Sequence, residues 1–324
     1  MSKHPLAITL GITGDMGFAA GCALRGVRKY SSGLDADILI YTDGTLPEAD
    51  AALLRDLGAD FLSFTPLDAA FPPAFVELYS PLCLSKLDCF LLLDRYERVI
   101  WLDADIAVQD DISELAEYGP FGMALEDPSF SGLAEPMPAS INILESLPGY
   151  AMDAPNRNSG ILVFHDSLSD PAGLRGICLR WLMEHAPKIK YMDQAALNML
   201  THMFWEQTPA LVREIPYGRF NSHPYNETAH LAAIVHAFGP AKMWNDGLVH
   251  GAFPEWARDY GRWLASGGSP WRGRARNALP GGQGLFSTLC RFHARAVRME
   301  EQARRLEAEV REKKTERGDG AGMP

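Results

Sequence analysis

Hydrophobic positions in the first 245 residues come in short blocks separated by polar turns. Leu6–Thr13 (LAITLGIT), Ala36–Thr42 (ADILIYT), Asp60–Phe64, Arg98–Leu102 (RVIWL) and Ser159–Phe164 are apolar runs of strand length. Runs this continuous predict strands covered on both faces. Between and after them lie helix-patterned stretches: Gly21–Tyr30, Pro47–Leu57 (stopped by Gly58), Ser80–Arg95, and one opening at Asp193 and reaching Thr201. Alternating strands and helices predict an α/β fold, parallel in large part, with helices on both sides of one sheet. In such sheets ligands bind beyond the carboxyl ends of the strands.

The pattern changes after residue 265. Residues 266–284 are rich in Gly, Pro, Ser and Arg and read as a linker following a body of residues 1–265. Leu285, Phe292, Met299 and Leu306 then recur every seven residues, as do Leu289, Ala296, Ala303 and Val310. This heptad pattern predicts a helical tail over 285–316 with one apolar seam. Glu300–Arg304, Glu301–Arg305, Glu307–Arg311 and Glu309–Lys313 add acid-to-base pairs at helical spacing. Three uses of the seam stay open: folding back onto the body, self-association as a coiled coil, or peripheral contact with a membrane surface. The end, 317–324, is expected to be disordered.

Charge sharpens this division. The formal net charge is −11, from 30 basic and 41 acidic residues; 271–324 carries +5 and 1–270 carries −16. So acidic a body excludes a nucleic-acid partner, because phosphate binding needs basic surface. Cys22, Cys83, Cys89, Cys178 and Cys290 are scattered and odd in number. They are expected to be free thiols in a reducing compartment. No apolar run is long enough to span a membrane, and the apolar stretch after Lys3 and His4 breaks at Gly14-Asp15, against a signal peptide. The expected location is cytoplasmic, with peripheral contact at the inner face of a membrane as the tail's alternative.

Several residues carry candidate chemistry. Asp103-Ala104-Asp105 follows the apolar strand Arg98–Leu102. Two carboxylates at a strand end can converge on a hard cation such as Mn²⁺ or Mg²⁺, or can form a solvated loop. His236 follows the apolar run Leu231–Val235 and is either a structural histidine or a nitrogen ligand for the same cation. Gly239 and Lys242 come next; glycine would let a diphosphate approach the backbone and lysine would neutralise it. Asn158-Ser159-Gly160 opens a strand, and Asp193-Gln194 opens a helix, where an acid can act as a cap.

In order along the chain these segments resemble the family 8 glycosyltransferases, the retaining enzymes that include glycogenin and bacterial lipopolysaccharide galactosyl- and glucosyltransferases. The matching segments are Leu84-Ser85-Lys86-Leu87, Tyr96 to Asp105, Asn158-Ser159-Gly160, Asp193-Gln194, Arg219-Phe220-Asn221, and His236…Gly239…Lys242…Trp244. Together they span about Leu6 to Trp244. The resemblance implies a GT-A fold, a Rossmann-like nucleotide-diphospho-sugar domain. It implies Mn²⁺, with Mg²⁺ as a substitute, held by Asp103, Asp105 and His236. It places Ile12, Thr13 and Asp15 near uridine, and Lys86 and Ala104 against the donor. Asp127, Asn158, Ser159 and Gly160 fall on the sugar side, and Gly239 and Lys242 on the diphosphate. Met243 stands where the family usually has proline, and the loop Gly14–Phe18 is one residue longer than in glycogenin.

The implied reaction is hexosyl transfer from a UDP-sugar to a glycan, lipid-linked saccharide or protein. Asp193 and Gln194 are the implied catalytic residues, in front-side attack or, less readily, through a covalent intermediate on Asp193. Three other classes compete. A haloacid-dehalogenase-type phosphatase would need Thr or Val where Ala107 stands. A sugar nucleotidyltransferase would need a basic glycine-rich loop near the N-terminus. A non-catalytic GT-A scaffold would have lost a metal ligand, and all three are present.

Overall fold

The computed structural model describes residues 3–64 and 80–273. The predicted tail over 285–316 and the end at 317–324 lie outside the described residues, as does most of the linker. Seven strands form one sheet in the order β3-β2-β1-β4-β7-β6-β8. They are β1 (His4–Ile12), β2 (Asp37–Thr42), β3 (Ala59–Ser63), β4 (Tyr96–Leu102), β6 (Phe121–Leu125), β7 (Arg157–His165) and β8 (Val212–Ile215). A separate two-stranded ladder joins β5 (Ile106–Val108) to β9 (Ile234–His236). β3, β2, β1 and β4 pair in parallel, as do β6 and β8. β7 runs antiparallel to both its neighbours, β4 and β6. The expectation of a largely parallel sheet therefore holds for six strands, and one reversed strand sits near the middle.

The continuous apolar runs have the predicted cause. In a strand, alternate side chains point to opposite faces. Ile8 and Leu10 of β1, Ile38 and Ile40 of β2, Ile100 of β4 and Val163 of β7 enter one core cluster. Their chain neighbours Ala7, Leu39, Val99, Trp101, Leu162 and Phe164 enter the other. The first cluster is closed by helix Gly17–Tyr30, through Phe18, Leu24 and Val27, and by Trp256 and Trp263 of helix Pro254–Ala265. The second is closed by Cys178 and Leu182 of helix Pro171–His185 and by Ala195, Ala196 and Leu200 of helix Met192–Gln207.

Two segments depart from the sequence pattern. Ser80–Arg95, expected as one helix, is a 3₁₀ helix over Pro81–Asp88 followed by one α-turn, Cys89–Leu92. Ser80 caps it by accepting from Leu82 N, and Pro81 fixes the first turn. The start of the expected linker is docked on the body. Ser269 N donates to Asp50 Oδ1 (2.7 Å), Trp263 Nε1 to Ser269 O (3.0 Å), and Trp271 N to the Tyr260 hydroxyl (3.0 Å). These bonds tie residues 269–271 to helices Glu48–Asp56 and Pro254–Ala265. Cys22, Cys83, Cys89 and Cys178 are free thiols. No helix among the described residues is long and apolar enough to cross a membrane.

Candidate active site

The reversal of β7 has a chemical result. β1, β4 and β6 end at one edge of the sheet, and an antiparallel strand begins where its neighbours end. Asn158 and Ser159, at the start of β7, therefore meet Asp103, which follows β4, and Glu126, which follows β6. Helix Met192–Gln207 opens against this edge. Ser159 Oγ donates to Asp193 Oδ2 (2.8 Å), and Ser159 N donates to Gln194 Oε1 (3.2 Å).

The ladder β5–β9 closes a gap of 131 residues. Ile106 pairs directly with His236, and Ala237 N donates to Asp105 O (2.9 Å). The register sets His236 beside the aspartates: Nε2 lies 3.0 Å from Asp105 Oδ1 and 3.7 Å from Asp103 Oδ2. The candidate ligand atoms of Asp103, Asp105 and His236 all lie within 4.8 Å of one another. On the far side of the ring, Nδ1 stands 2.8 Å from Asn221 Oδ1. With Nδ1 donating there, Nε2 turns a lone pair toward two carboxylates, an arrangement that calls for a cation between them. Two carboxylates and an imidazole suit Mn²⁺, so the residues fit the implied metal.

Two lysines complete the cluster. Lys86 Nζ, almost fully buried, lies 3.0 Å from Asp103 Oδ1, 2.8 Å from Asp193 Oδ2 and 3.2 Å from Ser159 Oγ. Burial works against its charge, but the carboxylates of Asp103 and Asp193 hold its pKa above the ordinary lysine range. Burial likewise opposes the charge of Asp193, and the Lys86 ammonium outweighs it, so Asp193 sits below the ordinary carboxylate range. Lys242 Nζ contacts Asp105 Oδ2 and donates to Ala237 O (2.9 Å). Burial would raise the pKa of Asp105; the Lys242 ammonium is the foremost influence that brings it down instead.

A cavity of about 380 Å³ opens over these groups, a size suited to a small organic ligand. Asp103, Ala104, Asp105 and His236 line it, with Lys86 and Lys242 beside them. Asn158, Ser159, Asp193 and Gln194 also line it, as do Ile12, Thr13, Gly239 and Trp244. Gly239 has φ +80°, and a Cβ there would lie 2.4 Å from the Phe130 ring. Gly160 does not line the cavity; it makes room for it. A Cβ on Gly160 would lie 2.0 Å from His236 Cε1, and Gly160 O accepts from Asp103 N (2.8 Å).

Two further expected residues, besides Gly160, are placed elsewhere. Asp15 is absent from the cavity lining and accepts from Thr13 Oγ1 (3.2 Å). Asp127, expected on the sugar side, is fully buried and turned away from the cavity. It accepts from Ser129 N, Ser222 Oγ, His223 N and Asn226 Nδ2, which commits it to holding the loop at 222–226. Its neighbour Glu126 lines the cavity instead. Burial pushes the Glu126 carboxyl up to about 7, and the bond from Asn156 Nδ2 (2.7 Å) only partly offsets this. A chain of amides links it to the catalytic candidates: Asn142 Nδ2 donates to Asn156 Oδ1, and Gln194 Nε2 donates to Asn142 Oδ1. Glu126 carried the same signal as Asp103, an acid directly after an apolar strand.

A Rossmann-like sheet with this acidic edge has the architecture of the GT-A glycosyltransferases. The structure of the galactosyltransferase LgtC in complex with donor and acceptor sugar analogs superposes with a TM-score of 0.57 at 17% identity, covering 80% of this chain and 99% of that one. The bifunctional glycosyltransferase WbbM gives a TM-score of 0.57 at 15% identity, covering 81% of this chain and 52% of that one. The family model "Glycosyl transferase family 8" matches residues 7–247, and the chain belongs to that family. Among curated relatives, mouse (Mus musculus) glycosyltransferase 8 domain-containing protein 2 is 31% identical over 110 residues, 29% of this chain and 30% of that protein. Galactinol synthase 4 of Arabidopsis thaliana is 25% identical over 234 residues, 65% and 64%. The match therefore spans less than a third of the first relative and just under two thirds of the second.

Proposed function

We propose that the enzyme transfers a hexosyl group from a UDP-sugar to a glycan, lipid-linked saccharide or protein acceptor, with retention of configuration and dependence on Mn²⁺, for which Mg²⁺ can substitute. The convergence of Asp103, Asp105 and His236 at the floor of the cavity carries this reading. Charge supports it. Three carboxylates (Asp103, Asp105, Asp193) face two ammonium groups (Lys86, Lys242), so a diphosphate would enter a site already short of positive charge.

Asp103, Asp105 and His236 would hold the divalent cation, which supplies Lewis-acid stabilisation of charge on the departing diphosphate. Lys242 reaches the same region and adds a fixed positive charge where negative charge develops. Ile12 and Thr13 offer the base its place, and the bare backbone of Gly239 lets phosphate oxygens come close. Asn158 and Gln194 present amides to the sugar. Asp193 is bound by Lys86 and Ser159 through one oxygen, Oδ2. A carboxylate so neutralised is a poor nucleophile, which favours front-side attack with Asp193 orienting the sugar or acceptor. Glu126 adds a carboxyl that changes charge near neutral pH.

Calorimetric titration with UDP-glucose and UDP-galactose, with and without Mn²⁺, tests this. Binding should require the metal and disappear in Asp103→Ala and Asp105→Ala; unchanged donor affinity in those variants would overturn the metal assignment. We also infer that the heptad-patterned tail serves self-association or peripheral membrane contact, for an enzyme of the cytoplasm. A chain ending at Gly284 should lose mass in light scattering or lose lipid flotation; no change in either refutes that role.

A further inference from the structure

Behind β7 lies a second cavity of about 280 Å³ that shares no lining residue with the first. Successive strand residues face opposite ways, so Asn158 lines the donor cavity and Arg157 lines this one. The guanidinium of Arg157 has no ion-pair partner among the described residues, and its Nε is buried without a hydrogen bond. Burial opposes its charge, and Glu214 acts on it only through space. Asn198, Thr201 and Tyr150, which line the cavity together with His202, are committed. Asn198 Oδ1 accepts from Arg157 N (2.9 Å), and Asn198 Nδ2 donates to Arg157 O and to Gln194 O (both 2.8 Å). Thr201 Oγ1 donates to Asn198 O (2.8 Å), and the Tyr150 hydroxyl accepts from Asn142 Nδ2 (3.2 Å). Ala151, Ala154, Pro155 and the Tyr150 ring give the cavity apolar walls.

Arg157 is only partly buried, and Nε is its one guanidinium nitrogen shut off from water without a partner; leaving that N–H unmet is costly, and a guanidinium fork matches a two-oxygen anion. The Asn198 clamp holds the Arg157 backbone in place before any ligand arrives. We propose that this cavity is a second ligand site, which binds the carboxylate or phosphomonoester head of a small organic molecule on Arg157 and packs its body against Tyr150 and the alanine–proline wall. It goes beyond sugar transfer and does not depend on the metal assignment.

The test is calorimetric titration of the full chain, without metal, with benzoate and with phenyl phosphate, against sodium chloride of equal ionic strength. Saturable binding of at least one probe is expected, and which one binds names the head group. Arg157→Met should weaken it tenfold or more. Arg157→Lys, which keeps the charge and loses the fork, should fall between. Lys242→Met, altered in the donor cavity, should bind as the wild type does. No saturable binding to the wild-type chain, equal affinity in a folded Arg157→Met, or loss in Lys242→Met would overturn the proposal.

Discussion

Replacing Lys86 by methionine tests the electrostatic centre of the site most directly. The side chain is 5% exposed and its ammonium lies 3.0 Å from Asp103 and 2.8 Å from Asp193. At 2.8 Å and an effective dielectric of about 20, one such attraction is roughly 6 kcal/mol before desolvation. Removing one partner of a buried pair typically costs about 3–5 kcal/mol, because a charge is left uncompensated. That is a large part of the stability of most domains. The loss should depend on pH. Lys86 has a raised pKa, so its contribution is complete below the ordinary lysine value and constant from pH 4 to 9. Asp193 has a depressed pKa in the wild type, so its contribution is present above the ordinary carboxylate range and is lost as pH falls through the depressed value. In Lys86→Met the depressing charge is gone while burial remains, so Asp193 takes up a proton at higher pH and the penalty shrinks toward pH 4. Urea unfolding at pH 4, 6 and 8 reads this out. Lys86→Met/Asp193→Asn should recover part of the loss at pH 8. A loss below about 1 kcal/mol, or one equal at pH 4 and 8, would refute the reasoning.

Glu126 makes the opposite pH argument. Its folded pKa of about 7 lies above the unfolded value, so it opposes folding increasingly as pH rises through 7. Glu126→Gln should flatten the stability slope between pH 5 and 8, worth about 3 kcal/mol; an unchanged slope in urea midpoints refutes it. Gly160→Ala should press on His236 and weaken Mn²⁺ binding about 10- to 100-fold, measured by calorimetry, because the imidazole loses its alignment; wild-type affinity would show that the ring relocates freely. Asp127→Ala leaves the donors on Ser129, Ser222, His223 and Asn226 without their acceptor. It should destabilise by about 3 kcal/mol or more, and an unchanged urea midpoint would contradict the bracing role.

Strand positions were legible because each apolar run supplies two cores at once, as Ile8 with Ala7 and Ile100 with Trp101 show. The direction of β7 was not legible, because an apolar run reads the same whichever way its strand runs. The break in Ser80–Arg95 was equally hidden: helical spacing does not reveal that Lys86 is drawn to two carboxylates across the site. The acidic pair and His236 stood out as polar residues at apolar run ends. Glu126, Asn156 and Asn221 belong to loops or turns without period and Asn142 to a single 3₁₀ turn, and their roles depend on partners up to 52 residues away in sequence. Asp127 shows the reverse. A conspicuous residue beside a cavity can be used wholly as a brace.

The β5–β9 ladder also has a consequence for biosynthesis. Asp103 and Asp105 are made early, while His236 and Lys242 follow more than 130 residues later. While the chain is still emerging from the ribosome, most of the large sheet can already pair, but two carboxylates at its edge lack the imidazole and the ammonium that face them. The last strand to arrive is three residues long, and it brings His236, with Lys242 six residues behind. A chain stopped before β9 thus holds the strands of the large sheet and lacks two of the groups, His236 and Lys242, that face the aspartates.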